Sequence, residues 1–143
     1  MAGHPIVGTW IITRDITNTT QVPVVVVFTA DGGFIDPGQG VAGVWESTGP
    51  RSGAITIIPF IEGGNGGYGV VRGTFDVDEG GGNLTGYSSI TIVAPDGTVI
   101  ATPPGSDSTA IRLHAEPVEK QGSGVPGFPV WTPATPEAGT PTS

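Results

Sequence analysis

Short apolar, β-branched runs separated by glycine- and proline-rich turns fill this chain from its start to about Ala115. Glycine (25) and proline (14) together exceed a quarter of the 143 residues. Glycine weakens a helix interior and proline breaks it, so long helices are not expected. Placed between the apolar runs, the two residue types punctuate strands. Strands are expected over Gly8 to Ile16, Val22 to Ala30, Phe34-Ile35, Val41 to Ser47, Gly53 to Ile61, Tyr68 to Val77, Leu84 to Ala94, Thr98 to Thr102 and Ser108 to Ala115. Asp31-Gly32-Gly33, Gly49-Pro50, Asp78 to Asn83 and Pro95-Asp96-Gly97 supply the turn chemistry between them. Eight to ten short strands in close succession predict an antiparallel barrel or sandwich.

The length allows one domain with an appendage. The net charge is −8, and the five basic residues (Arg14, Arg51, Arg72, Arg112 and Lys120) are scattered. Without a basic stripe there is nothing to neutralise phosphates, so nucleic acid and anionic membrane surfaces are not expected partners. Acidity is read as solubility. There is no cysteine, which excludes disulfides, thiolate metal sites and a cysteine nucleophile. The longest apolar run, Val22 to Phe28, is too short to span a bilayer. Either the protein is cytoplasmic or a signal peptide has been removed, and the tail favours the second, an extracellular location.

The first expected strand opens Gly8-Thr9-Trp10, and the last carries Ile111-Arg112-Leu113. This pairing resembles the calycin superfamily of lipocalins, fatty-acid-binding proteins and avidins. The resemblance implies an all-β fold: a single antiparallel up-and-down barrel of about eight strands, lipocalin-like, over residues 1–115. It also implies that Gly8, Trp10 and Arg112 close the barrel, the indole plugging the narrow end and the guanidinium stacking on it. The N-terminal helix of many lipocalins has no counterpart here. Avidin ligand residues cannot be mapped, so biotin binding is not implied. Glycines beside aromatics (Gly43-Val44-Trp45, Gly73-Thr74-Phe75, Gly86-Tyr87) are read as bends that help a sheet curl.

Two of the expected strands do not alternate. Val24 to Phe28 and Ala54 to Ile61 look apolar on both faces, so the outer face needs a cover. A homo-oligomer, most simply a dimer, would supply it, and so would the tail. Residues 116–143 hold six of the fourteen prolines and form an irregular Pro/Gly/Thr-rich tail. Within it, Phe128 and Trp131 are expected to dock on an apolar outer surface.

Several chemistry-bearing candidates lead to bland readings. His4 and His114 meet if first and last strands pair, yet a metal would need a third ligand such as Glu116, and none is expected. Asp76-Val77-Asp78-Glu79-Gly80 starts like a calcium loop but has Tyr87 at its twelfth position. Gly63 to Gly69 lacks the lysine and helix of a phosphate loop. Asn18-Thr19-Thr20 and Asn83-Leu84-Thr85 match glycosylation sequons. No nucleophile elbow is present. Glu46, Arg72, Tyr68 and Tyr87 could serve acid–base roles, but in Tyr68 to Val77 the odd positions are the apolar ones. Facing them inward turns Tyr68 and Arg72 out, so no catalytic residue is named.

The function expected is therefore a noncatalytic barrel that binds a small hydrophobic molecule without a cofactor. Its lining would be Phe28, Trp45, Ile58, Phe75 and Ile90, with Tyr87 near the mouth. A cofactor-independent barrel cyclase or isomerase acting on an apolar polyene, and an extracellular self-assembling structural protein, are the alternatives.

Overall fold

The structure, a computed structural model, describes residues 3–14, 24–38, 40–59 and 67–127. Nine strands cover most of them: β1 (Gly8–Arg14), β2 (Val24–Phe28), β3 (Gly33–Asp36), β4 (Val41–Gly49), β5 (Ser52–Ile57), β6 (Tyr68–Val77), β7 (Asn83–Val93), β8 (Val99–Ala101) and β9 (Ser106–Arg112). Among the described residues the only helical piece is a single 3-10 turn, Val118–Lys120.

Strands β1 to β7 pair in chain order. β9 then returns between β7 and β1, closing an eight-stranded antiparallel barrel. β8 is the extra strand, a short hairpin arm on the far end of β7 at Ile92 and Val93. The long β7 can serve both partners because β9 takes only its first half, Asn83 to Ser88. Closure leaves the barrel strands without a free edge.

Antiparallel order sorts the connections between two ends. The N-terminal segment 3–7 and the turns 29–32, 50–51 and 78–82 gather at one end. Residues 37–38, 40, 58–59, 67 and 94–105 lie at the other. The first end is closed by a core of Ile6, Trp10, Val26, Phe28, Phe34, Trp45, Phe75, Val77, Leu84 and Ala110. Its aromatics meet edge to face, with Phe28 5.0 Å from both Phe34 and Phe75.

Glycine governs how closely those rings approach. A Cβ on Gly53 would stand 2.6 Å from Cζ of Phe75, and one on Gly43 would collide with Ile57. The inward faces of β4 and β5 thus accept large side chains from the strands beside them.

Most expected strand boundaries shift by one or two residues, and two strand ends shift further for local reasons. β5 stops at Ile57, and Ile58 turns into solvent, 58% exposed. The final strand ends at Arg112, whose side chain is drawn into the closed end, so His114 and Ala115 lie past the sheet.

On the outer wall, Val25 and Val27 are half-buried, whereas Val44 is 62% exposed. Ile11 faces outward by register, between inward-facing Trp10 and Ile12, yet it is only 1% exposed. Beside it, paired across the strands, stands Ile111. Gly127 comes back to this point: a Cβ on it would lie 3.5 Å from Cδ1 of Ile111. The chain after β9 therefore returns across the outer face of the β1–β9 pair. Phe128 and Trp131 lie outside the described residues.

Candidate functional site

Strand parity decides what the barrel encloses. On β1, β2 and β3 the inward positions include the large Trp10, Ile12, Val24, Val26, Phe28 and Phe34, with Asp36 at the end of β3. Opposite them, β6, β7 and β9 turn Gly73, Gly86, Ser88, Ser108 and Ala110 inward. These small residues cannot fill the span, and a cavity of about 390 Å³ remains above the aromatic core. An interior of eight strands is just wide enough for this to happen. Trp10, Phe28, Phe75, Leu84 and Ala110 form its floor; Ile55, Ile57, Val71 and Ile90 form its sides; Pro59, Pro104 and Asp36 stand toward the open end.

The closed end is pinned by Trp10 and Arg112. The guanidinium carbon lies 4.3 Å from the centre of the Trp10 ring. Its nitrogens donate to the carbonyl oxygens of Gly81 (2.8 Å), Val7 (3.0 Å) and Pro5. The indole Nε1 donates to Ile6 O at 2.8 Å. Burial presses the pKa of Arg112 downward, yet a guanidinium remains charged at any physiological pH. Gly8 leaves the room for this: its φ is +137°, and a Cβ there would be 2.6 Å from Nη1 of Arg112.

Four of the six residues expected to line a ligand site border the cavity: Phe28, Phe75, Tyr87 and Ile90. Tyr87 does so from the wall itself. It is 52% exposed, and its ring lies over Gly105 in the connection at the open end. Trp45 is buried but sits beneath the floor, donating from Nε1 to Thr29 O at 2.9 Å and packing edge-on to Phe28. Ile58 is in solvent. The choice by residue size missed Ile12, Val24, Val26, Ile55, Ile57 and Val71, which the two-residue period of their strands would have picked out.

The polar candidates are committed elsewhere. The Ile6 amide donates to Nδ1 of His4 (3.1 Å), so the ring proton lies on Nε2, which donates to Gly49 O (3.0 Å). The ring also packs edge-on to Trp45 at 5.3 Å. His114 is exposed past β9. Among the described residues no cluster of three or more His, Asp or Glu could hold a metal. Asp78 spends both carboxylate oxygens on its own turn, accepting from the amides of Gly82 and Asn83 and from Nδ2 of Asn83. Glu79 reaches Arg51 at 3.8 Å on the surface. Tyr68, Arg72 and Glu46 all stand outside, exposed.

Comparison with models of known families, with curated proteins and with solved structures gives no match. The functional reading therefore rests on the geometry of the barrel.

Proposed function

We propose that the protein is a noncatalytic binding barrel that holds a small apolar molecule in its interior, a lipocalin-like member of the calycin type. The observation that carries this reading is the 390 Å³ cavity, walled chiefly by aliphatic and aromatic side chains and set above a well-packed aromatic floor. Its volume lies within the usual range for small-molecule sites. Transfer of an apolar ligand into such a space is favourable because it removes hydrocarbon surface from water. The Trp10–Arg112 arrangement supports the calycin comparison, since it closes one end and leaves the other as the point of entry.

The test is a fluorescence titration with N-phenyl-1-naphthylamine. Saturable one-to-one binding is expected, and it is expected to vanish in Ser88→Phe, whose new ring points into the cavity. Ser108→Leu serves the same purpose if the first variant folds poorly. Failure of the native chain to bind, or undiminished binding by a folded filled-cavity variant, overturns the reading.

A further inference from the structure

The charge of the cavity lining narrows what the barrel can accept. The chain has only five Lys and Arg residues, and four have described side chains, all committed away from the interior. Arg51 lies in the β4–β5 turn beside Glu79. Arg72 is on the outer face of β6, reaching toward Thr91. Arg112 is held at the closed end by three carbonyls and the Trp10 ring. Lys120 is exposed on the 3-10 turn. The fifth, Arg14, ends β1 at the open end.

The histidines add nothing to this tally, since His4 is tied to Ile6 and Gly49 and His114 is in solvent. Asp36 is the one charged residue among the described lining residues, and it is an acid. A bound carboxylate, sulfate or phosphate would thus enter an apolar space in which no described cation meets it. Burying an anion unpaired is costly, so an uncharged molecule of the same shape keeps more of the gain from the same hydrocarbon contact.

The interior is not wholly apolar, however. Ser88 and Ser108 turn inward on adjacent strands, either side of Gly86, and no hydrogen bond engages either hydroxyl among the described residues. A hydroxyl facing hydrocarbon gains by finding a partner. The two serines share one wall, β7 and β9, while aliphatic and aromatic side chains form the opposite one. That asymmetry orients a ligand.

From this we infer that the barrel selects an uncharged, largely hydrocarbon molecule carrying one hydroxyl or carbonyl group. Its oxygen bonds to Ser88 and Ser108, and its apolar body lies against Ile12, Val24, Ile55 and Val71. Anionic lipids such as fatty acids are rejected. This inference rests on the interior site proposed above, and its test separates the two.

N-Phenyl-1-naphthylamine and 1-anilinonaphthalene-8-sulfonate share one aromatic skeleton and differ by a sulfonate. With the full chain at neutral pH, the neutral probe is expected to bind about tenfold or more tightly than the anion. In displacement of the neutral probe, 2-naphthol is expected to outcompete naphthalene by about fivefold, the worth of a hydrogen bond. That advantage is expected to disappear in the Ser88→Ala/Ser108→Ala double variant, while naphthalene itself still competes. Equal binding of the two probes, or a preference for the sulfonate that Arg14→Gln abolishes, overturns the charge selection and leaves the interior site standing. An undiminished naphthol advantage in the double variant overturns the role of the serines. If the neutral probe does not bind at all, or binds Ser88→Phe as well as the native chain, the interior site itself is overturned.

Discussion

Arg112 and Trp10, paired across β1 and β9, hold together parts of the chain more than seventy residues apart: the guanidinium that covers the indole at 4.3 Å also donates to Pro5 and Val7 on one side and Gly81 on the other. Charged donors to carbonyls are worth more than neutral ones, and the planar fork serves three acceptors at once. Arg112→Ala is expected to lose about 3 kcal/mol or more of stability, measured by urea unfolding. Arg112→Lys restores a charge but not the fork and is expected to recover only part. A lysine variant as stable as the native protein would show that the charge alone suffices.

Gly8 is needed by the same arrangement for two reasons, its φ of +137° and the nearness of Nη1 of Arg112. Gly8→Ala is expected to cost about 1–3 kcal/mol. Gly80→Ala, where a Cβ meets nothing, is expected to change stability by less than about 0.5 kcal/mol. In an Arg112→Ala background the Gly8→Ala cost should shrink, because the collision with the guanidinium is gone. Full additivity would mean that backbone conformation is the whole of the effect.

The β6–β7 turn depends on an ionised Asp78. The hydrogen bond from the Asn83 side chain, followed by those from the backbone amides of Asn83, Gly82 and Gly81, holds its carboxyl below the usual aspartate range. A carboxylate with a lowered folded-state pKa contributes stability that is present above its unfolded pKa, near pH 4. The contribution is lost as pH falls through the lower, folded value. Carboxyl NMR titration of the native protein should find Asp78 below an ordinary aspartate, and Asn83→Ala should move it upward. No movement would remove the Asn83 side chain from its first place among the causes.

The segment after β9 has a structural role at Gly127, which lies against the outward-facing Ile111 beside the fully covered Ile11. Removing residues 117–143 is expected to uncover this strip and cost about 1–2 kcal/mol, read as a fall in Tm. Ile111→Thr in the full chain should reproduce part of the loss. An unchanged Tm on truncation would mean that the returning chain adds nothing to the stability of the wall.

The strand pattern was largely legible because the turns carry local chemistry: Asp31-Gly32, Asp78 to Gly82 and Pro95-Asp96-Gly97 fall between strands, while Gly33 and Asn83 open the strands that follow. Closure through Gly8, Trp10 and Arg112 could be suggested only by resemblance, since a residue's partner a hundred positions away leaves no local trace. The interior was less legible. Size and hydrophobicity pointed to Trp45 and Ile58, but one packs beneath the floor and the other faces water. Parity within a strand says which residues share a face; it does not say at what height on the barrel they sit. The cavity itself is made by Gly73, Gly86, Ser88 and Ser108, whose contribution is the absence of bulk, a signal that emerges only once opposite walls are placed together. Tyr87 shows the converse. An aromatic beside a glycine can stand on the outside of the wall.

The most direct measurement is a crystal structure of the full chain grown with N-phenyl-1-naphthylamine. Electron density for the molecule is expected inside the barrel, above Trp10 and Phe75, with its nitrogen toward Ser88 and Ser108. An interior closed by collapsed side chains, or the molecule found only on the outer wall, would contradict the account.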